Sequence, residues 1–189
     1  MARGDPTRTG KKGAQPATTL IFVDEAGFQL LPTVERTYAP QGQTPVLRGP
    51  ATKAHWSVIS AVTLAGELFV QLQDSAFCGP DVVRFLRYLE HQVAGKLVIV
   101  WDRASIHRNA AVREFLAAGH AARIELVALP GYAPDLNPDE GVWQWLKQQL
   151  ANVNCQDLPE LRAVLRQKLR ELRRHSELIQ NFFIHAGYG

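Results

Sequence analysis

The sequence predicts a mixed α/β sheet with helices on its faces. Three observations carry that reading. Residues 18–23 and 96–101 are short apolar runs that each end on an acid, and the second is continuously apolar, as a strand at the centre of a sheet must be. Residues 56–63 and 68–73 read as two strands joined at Ala65-Gly66, a hairpin. Helix-period segments then alternate with strands, in the order hairpin-like strands, α, β, α, β, α. The length of 189 residues suits one domain with a sizeable core.

Each element has its own justification. Residues 18–23 are apolar and β-branched, as a strand requires. Residues 29–50 hold Pro32, Pro40, Gly42, Pro45, Gly49 and Pro50, which predicts turns with a short extended piece around Thr37. Pro80 opens a helix to about residue 94, with Val82, Val83, Leu86 and Leu89 on one side. A short helix over 109–118 and a strand over 124–129 follow. Asn137-Pro138-Asp139-Glu140 has the form of a helix start, with Asn as N-cap, Pro first and Glu third, as in a capping box. That helix carries Val142, Trp143, Trp145, Leu146 and Leu150, and a last helix runs from about residue 158 to 174. Residues 1–18 are rich in Gly, Pro, Thr and Lys and are expected to form a flexible polar tail.

Composition narrows the function classes. Hydrophobic residues make up 46% and charged residues 21%, an ordinary globular balance. No apolar run approaches the ~18 residues of a membrane span, so no membrane role is expected. No secretory signal is read, and Cys78 and Cys155 form no CxxC, so reduced thiols in a cytoplasmic protein are the expectation. Six scattered histidines, with no HxH or HxxxH spacing, argue against a zinc enzyme. The net charge of +3 resides in residues 1–19, where Arg3, Arg8, Lys11 and Lys12 face only Asp5. The remainder sums to zero, so any nucleic-acid surface must be a local patch.

Three segments each place one carboxylate where a carboxylate is awkward: TLIFVDEAGF with Asp24, LVIVWDRASIH with Asp102, and PGYAPDLNPDEGVW with Glu140. The first two acids stand at the ends of apolar strands, the edge of an α/β sheet that faces a ligand crevice. A turn-forming Asp explains either alone. Glu25 follows Asp24, but neighbours on a strand point to opposite faces, which favours Asp24. Glu140 also suits a simple cap, while the helix N-terminus equally favours an anionic ligand group. Asp139 is rotated about 100° from it, so only one of the two faces a pocket. Three convergent acids without His or Cys ligands suit a hard cation, Mg²⁺ or Mn²⁺. Two such ions about 3.5–4 Å apart serve in-line phosphoryl transfer. His107, Asn137 and Arg103 are secondary active-site candidates, with His107 placed to reach a scissile phosphate or to serve as a cap. Arg162, Arg166, Arg170 and Arg174 recur at four-residue steps, opposite Leu161, Val164, Leu165, Leu169 and Leu172. That basic stripe is a DNA-binding candidate or a solvated helix face.

Together these segments resemble the catalytic domain of DDE transposases, most closely the bacterial insertion-sequence branch of the mariner superfamily, the six-thirty family. FVDEAGFQLLPTVERTYAPQGQTPVL resembles the family's first-acid segment, including its arginine and APxGxTP turn. VWDRASIHR resembles the second and LPGYAPDLNPDEGVWQWLK the third, with Glu140 thirty-eight positions after Asp102. The resemblance covers roughly residues 18–152. It implies a ribonuclease H-like, integrase-like fold with residues 19–152 as the DDE catalytic domain and 153–189 as a helical extension packed on it. It implies Asp24, Asp102 and Glu140 as the catalytic, metal-binding triad, with two Mg²⁺ or Mn²⁺ ions. The implied chemistry is cut-and-paste transposition: cleavage at the element's ends, then attack of the freed 3′-hydroxyl on target DNA, typically at TA. The implied partners are double-stranded DNA and a second copy of the chain in a homodimer, and the implied location is the bacterial cytoplasm, at the nucleoid.

Departures are visible. Arg103 stands where the family often has Asn, Gly131 and Ala133 replace a commoner Pro and Ser, and Asp139 replaces a commoner aliphatic residue. Family members carry N-terminal helix-turn-helix modules, and 18 polar residues are too few to form one. A frameshift fusion, a separate helix-turn-helix chain and a truncated copy all fit that pattern. Two rivals to an active transposase remain: another ribonuclease H-like nuclease, and a non-catalytic remnant that binds DNA or inhibits transposition.

Overall fold

The computed structural model describes residues 17–31, 33, 38–43, 46, 52, 54–131 and 133–188. Most of the tail read at 1–18, the extended piece at Thr37, and the family-like Arg36 and Thr44-Pro45 lie outside the described residues.

Five strands form one sheet: β1 (Thr18–Gln29), β2 (His55–Thr63), β3 (Leu68–Gln73), β4 (Lys96–Trp101) and β5 (Ile124–Ala128). Their order is β3-β2-β1-β4-β5. The β1–β2 and β2–β3 pairs are antiparallel, and β1–β4 and β4–β5 are parallel. Helices α1 (Gly79–Gln92) and α2 (Ala110–Ala117) cover one face, and α3 (Asp139–Leu150), α4 (Leu158–Leu172) and α5 (Ser176–His185) cover the other. This is the expected mixed sheet flanked by helices.

Strand parity divides the core. Ile21, Val23, Ile59, Leu97, Ile99 and Trp101 are buried with Phe85, Leu86, Leu89 and Phe115 of α1 and α2. Phe22, Val58, Val62 and Val100 are buried with Trp143, Leu146, Leu165 and Phe183 of α3, α4 and α5. With a period of two, Asp24 follows Phe22 to the α3 face and Glu25 follows Val23 to the α1–α2 face.

β3 and β4 have the expected bounds, because apolar alternation and a continuous apolar run define them. β1 does not stop at Val23. Its parallel pairing with β4 ends at Val23↔Trp101, but antiparallel pairing with β2 continues from Glu25↔Ile59 to Gln29↔His55. Asp24 therefore stands inside a strand, where the parallel partner runs out.

The helix bearing Glu140 also starts differently. Pro138 is the N-cap and Asp139 the first helical residue. A 3-10 turn over Pro134–Leu136 ends with the Asn137 amide donating to the Pro134 carbonyl at 2.8 Å. That amide is thus taken, and no capping box forms. The Asn137 side chain instead accepts from the Asp139 amide at 3.2 Å. The last helix ends at Leu172, two residues early, and α5 follows it. α5 packs tightly on α3: a Cβ on Gly141 would lie 2.5 Å from the Phe182 ring.

Candidate active site

β1 and β4 run parallel in register, so Asp24 and Asp102 each stand one residue beyond the same final pair, Val23↔Trp101. α3 then lays its first turn over the end of β1. Asp24, Asp102 and Glu140 line one cleft of about 500 Å³, with Arg103, Leu129, Pro130, Gly131, Ala133, Pro134 and Asn137. The sequence-expected triad and two of the three secondary candidates thus share one cavity.

Asp24 is the most constrained acid. Its Oδ2 accepts from Trp143 Nε1 at 3.0 Å and its Oδ1 from the Glu25 amide at 2.9 Å. Burial raises its carboxyl to about 7 against those two bonds, and the charges of Glu140 and Glu25 add to the rise. Trp143 is buried, and a buried indole N–H needs an acceptor. Its place three residues after Glu140, on the same side of α3, is the signal in the sequence that would have flagged it.

Asp102 is the open acid, its side chain 54% exposed. Its Oδ1 accepts from the Ala104 amide at 2.8 Å. His107, in a 3-10 turn over Ser105–Arg108, is buried and stacked on Trp101 with ring centroids 4.2 Å apart. Its Nδ1 lies 3.0 Å from Asp102 Oδ1 and its Nε2 2.9 Å from Glu25 Oε1. Burial disfavours the imidazolium, but hydrogen bonding and charge from Glu25, with Asp102 behind them, raise His107 above its ordinary value. Its ring thus ties β1 to the end of β4 and does not line the cleft. Arg103 donates from Nε to the Leu129 carbonyl at 3.1 Å, which fixes one wall of the cleft.

Asp139 and Glu140 are separated as their 100° rotation requires. Asp139 is wholly buried, and its Oδ1 accepts from Ser60 Oγ at 2.6 Å. Burial, then repulsion from Asp24, raises its carboxyl well above the usual range, so the neutral acid is favoured. Its Oδ2 has no hydrogen-bond partner among the described residues. Glu140, freed from capping, faces the cleft. Ser60, which sequence reasoning missed, sits directly across from Asp24 in the β1–β2 register.

The donor set fits a hard divalent cation: three carboxylates on one cleft, one of them held protonated up to about neutral pH by burial and neighbouring charge. Among the described residues the acids are not drawn together into a ready-made cage. A cation would have to gather them.

The arginine stripe lies elsewhere. Arg162, Arg166 and Arg170 are exposed on α4 and line a different cleft, joined by Arg173 and not by Arg174. Helical rotation explains the exchange. Each four-residue step drifts about 40°, so residue 174 has turned about 120° from residue 162, whereas residue 173 has turned only about 20°.

A family model described as DDE superfamily endonuclease matches residues 19–162. The chain belongs to that family. The DDE fold is matched in solved structures of the mariner transposase Mos1. The Mos1 paired-end complex with Mn aligns at TM-score 0.66 and 17% identity, covering 88% of this chain and 53% of that one. The Mos1 strand transfer complex aligns at 0.61 and 17%, covering 89% and 54%. The isolated Mos1 catalytic domain aligns at 0.55 and 14%, covering 89% and 82%. This DDE chain thus spans about half of the transposase chains in those complexes. Comparison with curated protein sequences gives no match. Among the described residues no helix is long and apolar enough to cross a membrane.

Proposed function

We propose that this DDE endonuclease is the catalytic part of a cut-and-paste DNA transposase, and that Asp24, Asp102 and Glu140 are its catalytic, metal-holding acids. The observation that carries the reading is their common cleft, with two acids set one residue beyond the same β1–β4 pair and the third in the first turn of α3. The substrate is double-stranded DNA, the element's ends first and a TA-containing target second, handled by two copies of the chain. Sequence-specific recognition of the ends belongs to a helix-turn-helix module, in the same polypeptide or a partner.

Asp24, Asp102 and Glu140 would hold two Mg²⁺ or Mn²⁺ ions. When bound, such a pair activates the attacking oxygen and stabilises the leaving oxygen of an in-line displacement at phosphorus. The protein's own groups set the stage. Trp143 and the Glu25 amide fix the Asp24 carboxylate in one orientation. His107 anchors the chain that carries Asp102. The N-terminal end of α3 favours negative charge, both on Glu140 and on a phosphate approaching it. Asp139, whose carboxyl is raised well above the usual range by burial and then by repulsion from Asp24, is held by Ser60 outside the cleft.

Plasmid nicking in Mg²⁺ against chelator tests the assignment. Glu140→Gln should lose at least a hundredfold in cleavage at near-normal stability, while Asp139→Asn keeps substantial activity. An inactive Asp139→Asn beside an active Glu140→Gln would move the third acid by one position and overturn the reading.

A further inference from the structure

We propose that the arginine-walled cleft between the free edge of β3 and helix α4 is a second DNA-binding site, which holds the sugar-phosphate backbone of a duplex away from the catalytic cleft. It rests on the nucleic-acid reading above only in its choice of polyanion.

The floor is a strand edge. β3 is terminal in the sheet, and no strand pairs with its outer side among the described residues. At the hairpin, the Thr63 amide donates to the Glu67 carbonyl at 3.2 Å, which makes Thr63–Glu67 a hydrogen-bonded pair. Hydrogen-bonded and open pairs alternate in an antiparallel ladder. The register Val62↔Leu68, Ser60↔Val70 and Val58↔Leu72 therefore turns the backbone groups of Leu68, Val70 and Leu72 outward. Arg173 Nε takes the Leu68 carbonyl at 2.9 Å. Val70 and Leu72 line the cleft, so their outward amides are available to an anionic oxygen.

The walls are cationic on both sides of that edge. Arg162, Arg166 and Arg170 of α4 and Arg173 at its C-cap stand on one sheet face, and Arg84 comes from α1 on the other. The cleft measures about 430 Å³. Arg84 pairs with Asp81, but among the described residues no carboxylate forms an ion pair with Arg162, Arg166, Arg170 or Arg173. Glu171, the nearest acid in sequence, is engaged by Lys168. Arg162 lies over the Trp56 ring at 5.1 Å, which orders it in advance. Five guanidinium groups concentrated on a chain whose residues 20–189 carry no net charge make a focused site rather than a general field. Guanidinium forks suit phosphate oxygens. The eleven steps from Arg162 to Arg173 rise about 16 Å, room for several consecutive phosphates.

The site is distinct from the catalytic one. Asp24, Ser60 and Val70 form one cross-strand row, so the cleft lies two strand spacings, about 10 Å, from Asp24. The two clefts share no lining residue. The phosphates held here are therefore not the one placed at the three acids.

Anisotropy of a labelled duplex, titrated with the full chain in chelator at several salt concentrations, tests the site without any cleavage. Failure of the catalytic reading would thus leave this measurement untouched. Arg166→Gln/Arg170→Gln should keep the wild-type melting temperature, weaken binding at every sequence tested, and lower the slope of log K against log salt by roughly 0.9 for each lost contact. Arg84→Gln should lower it further, and Arg174→Gln, outside the cleft, should leave it unchanged. An unchanged slope in the double variant overturns the proposal. So does an Arg174→Gln effect equal to that of Arg170→Gln, which would mark a general charge effect. Displacement of the duplex by polyglutamate at charge-matched concentrations below those needed for competitor DNA also overturns it, by assigning the cleft to an acidic protein.

Discussion

Replacing Asp24 by Asn should make the metal-free protein more stable, by an amount set by pH. The Asp24 carboxyl moves from 3.8 to about 7 on folding, through burial first and the charges of Glu140 and Glu25 after. Below pH ~4 both the folded and the unfolded chain hold the proton, so ionisation contributes nothing and the variant should melt slightly lower, by the hydrogen bond it lacks. Between about 4 and 7 the unfolded chain releases its proton first, so ionisation favours unfolding of the wild type. Above about 7 that penalty is complete, and the shift corresponds to roughly 4 kcal/mol at ~1.36 kcal/mol per unit. Asn has one acceptor where Asp24 receives two bonds, from Trp143 and the Glu25 amide, and that loss returns ~1–3 kcal/mol. The net gain is about 2 kcal/mol at pH 8, or roughly 4–8 °C in Tm for a chain of this size. Thermal melts of both proteins in chelator, from pH 4 to 9, measure it. A difference that is constant with pH, or a variant that melts lower at pH 8, would refute the burial argument for Asp24.

Mg²⁺ or Mn²⁺ should raise the wild-type Tm, because a ligand bound only by the folded state stabilises it, by about 2.7 kcal/mol at a hundred times Kd. Asp102→Asn should remove most of that rise, and an equal rise in both proteins would dismiss the cleft as a cation site. His107→Ala strands Glu25 without its buried partner and unstacks Trp101, so a loss of about 3 kcal/mol is expected in denaturant titrations. His107 is raised above 6.5, so its contribution is whole below that pH and fades as pH rises through the folded value; the gap to wild type should narrow in alkaline buffer. Gly141→Ala pushes a methyl into the Phe182 ring, at ~1–3 kcal/mol, against about 1 kcal/mol gained in helix propensity; a higher Tm would show that α5 yields at that contact.

The elements that could be read from the chain are those whose signal is local. The apolar run of β4 and the alternation of β3 needed no partner to be seen. The second half of β1, EAGFQ, is polar and glycine-containing, and it is a strand only because β2 lies beside it. The same holds at the site. Asp24, Asp102 and Glu140 could be picked out because each sits oddly in its own segment. Asp139 and Glu140 could not be told apart by rotation alone; Ser60, seventy-nine residues away, decides which is buried. His107 reads as a surface or catalytic histidine until β1 and β4 are adjacent and Glu25 comes within 2.9 Å. The capping box was outcompeted by a neighbouring 3-10 turn that claimed the Asn137 amide.

The shared end point of β1 and β4 works as a ruler. The separation of Asp24 from Asp102 is fixed by main-chain pairing, Thr18↔Lys96 through Val23↔Trp101, which is indifferent to side-chain identity. Six rungs can thus be repainted with any strand-forming residues while the two acids keep their spacing. This accounts for a fold that superimposes on a relative with which it shares only 17% of its residues. It also divides the chain by tolerance to length change. Extra residues at 74–76, outside the ladder, would leave the β1–β4 register unchanged. One residue inserted between 18 and 24, or between 96 and 102, would slip the ladder and turn an acid to the wrong face.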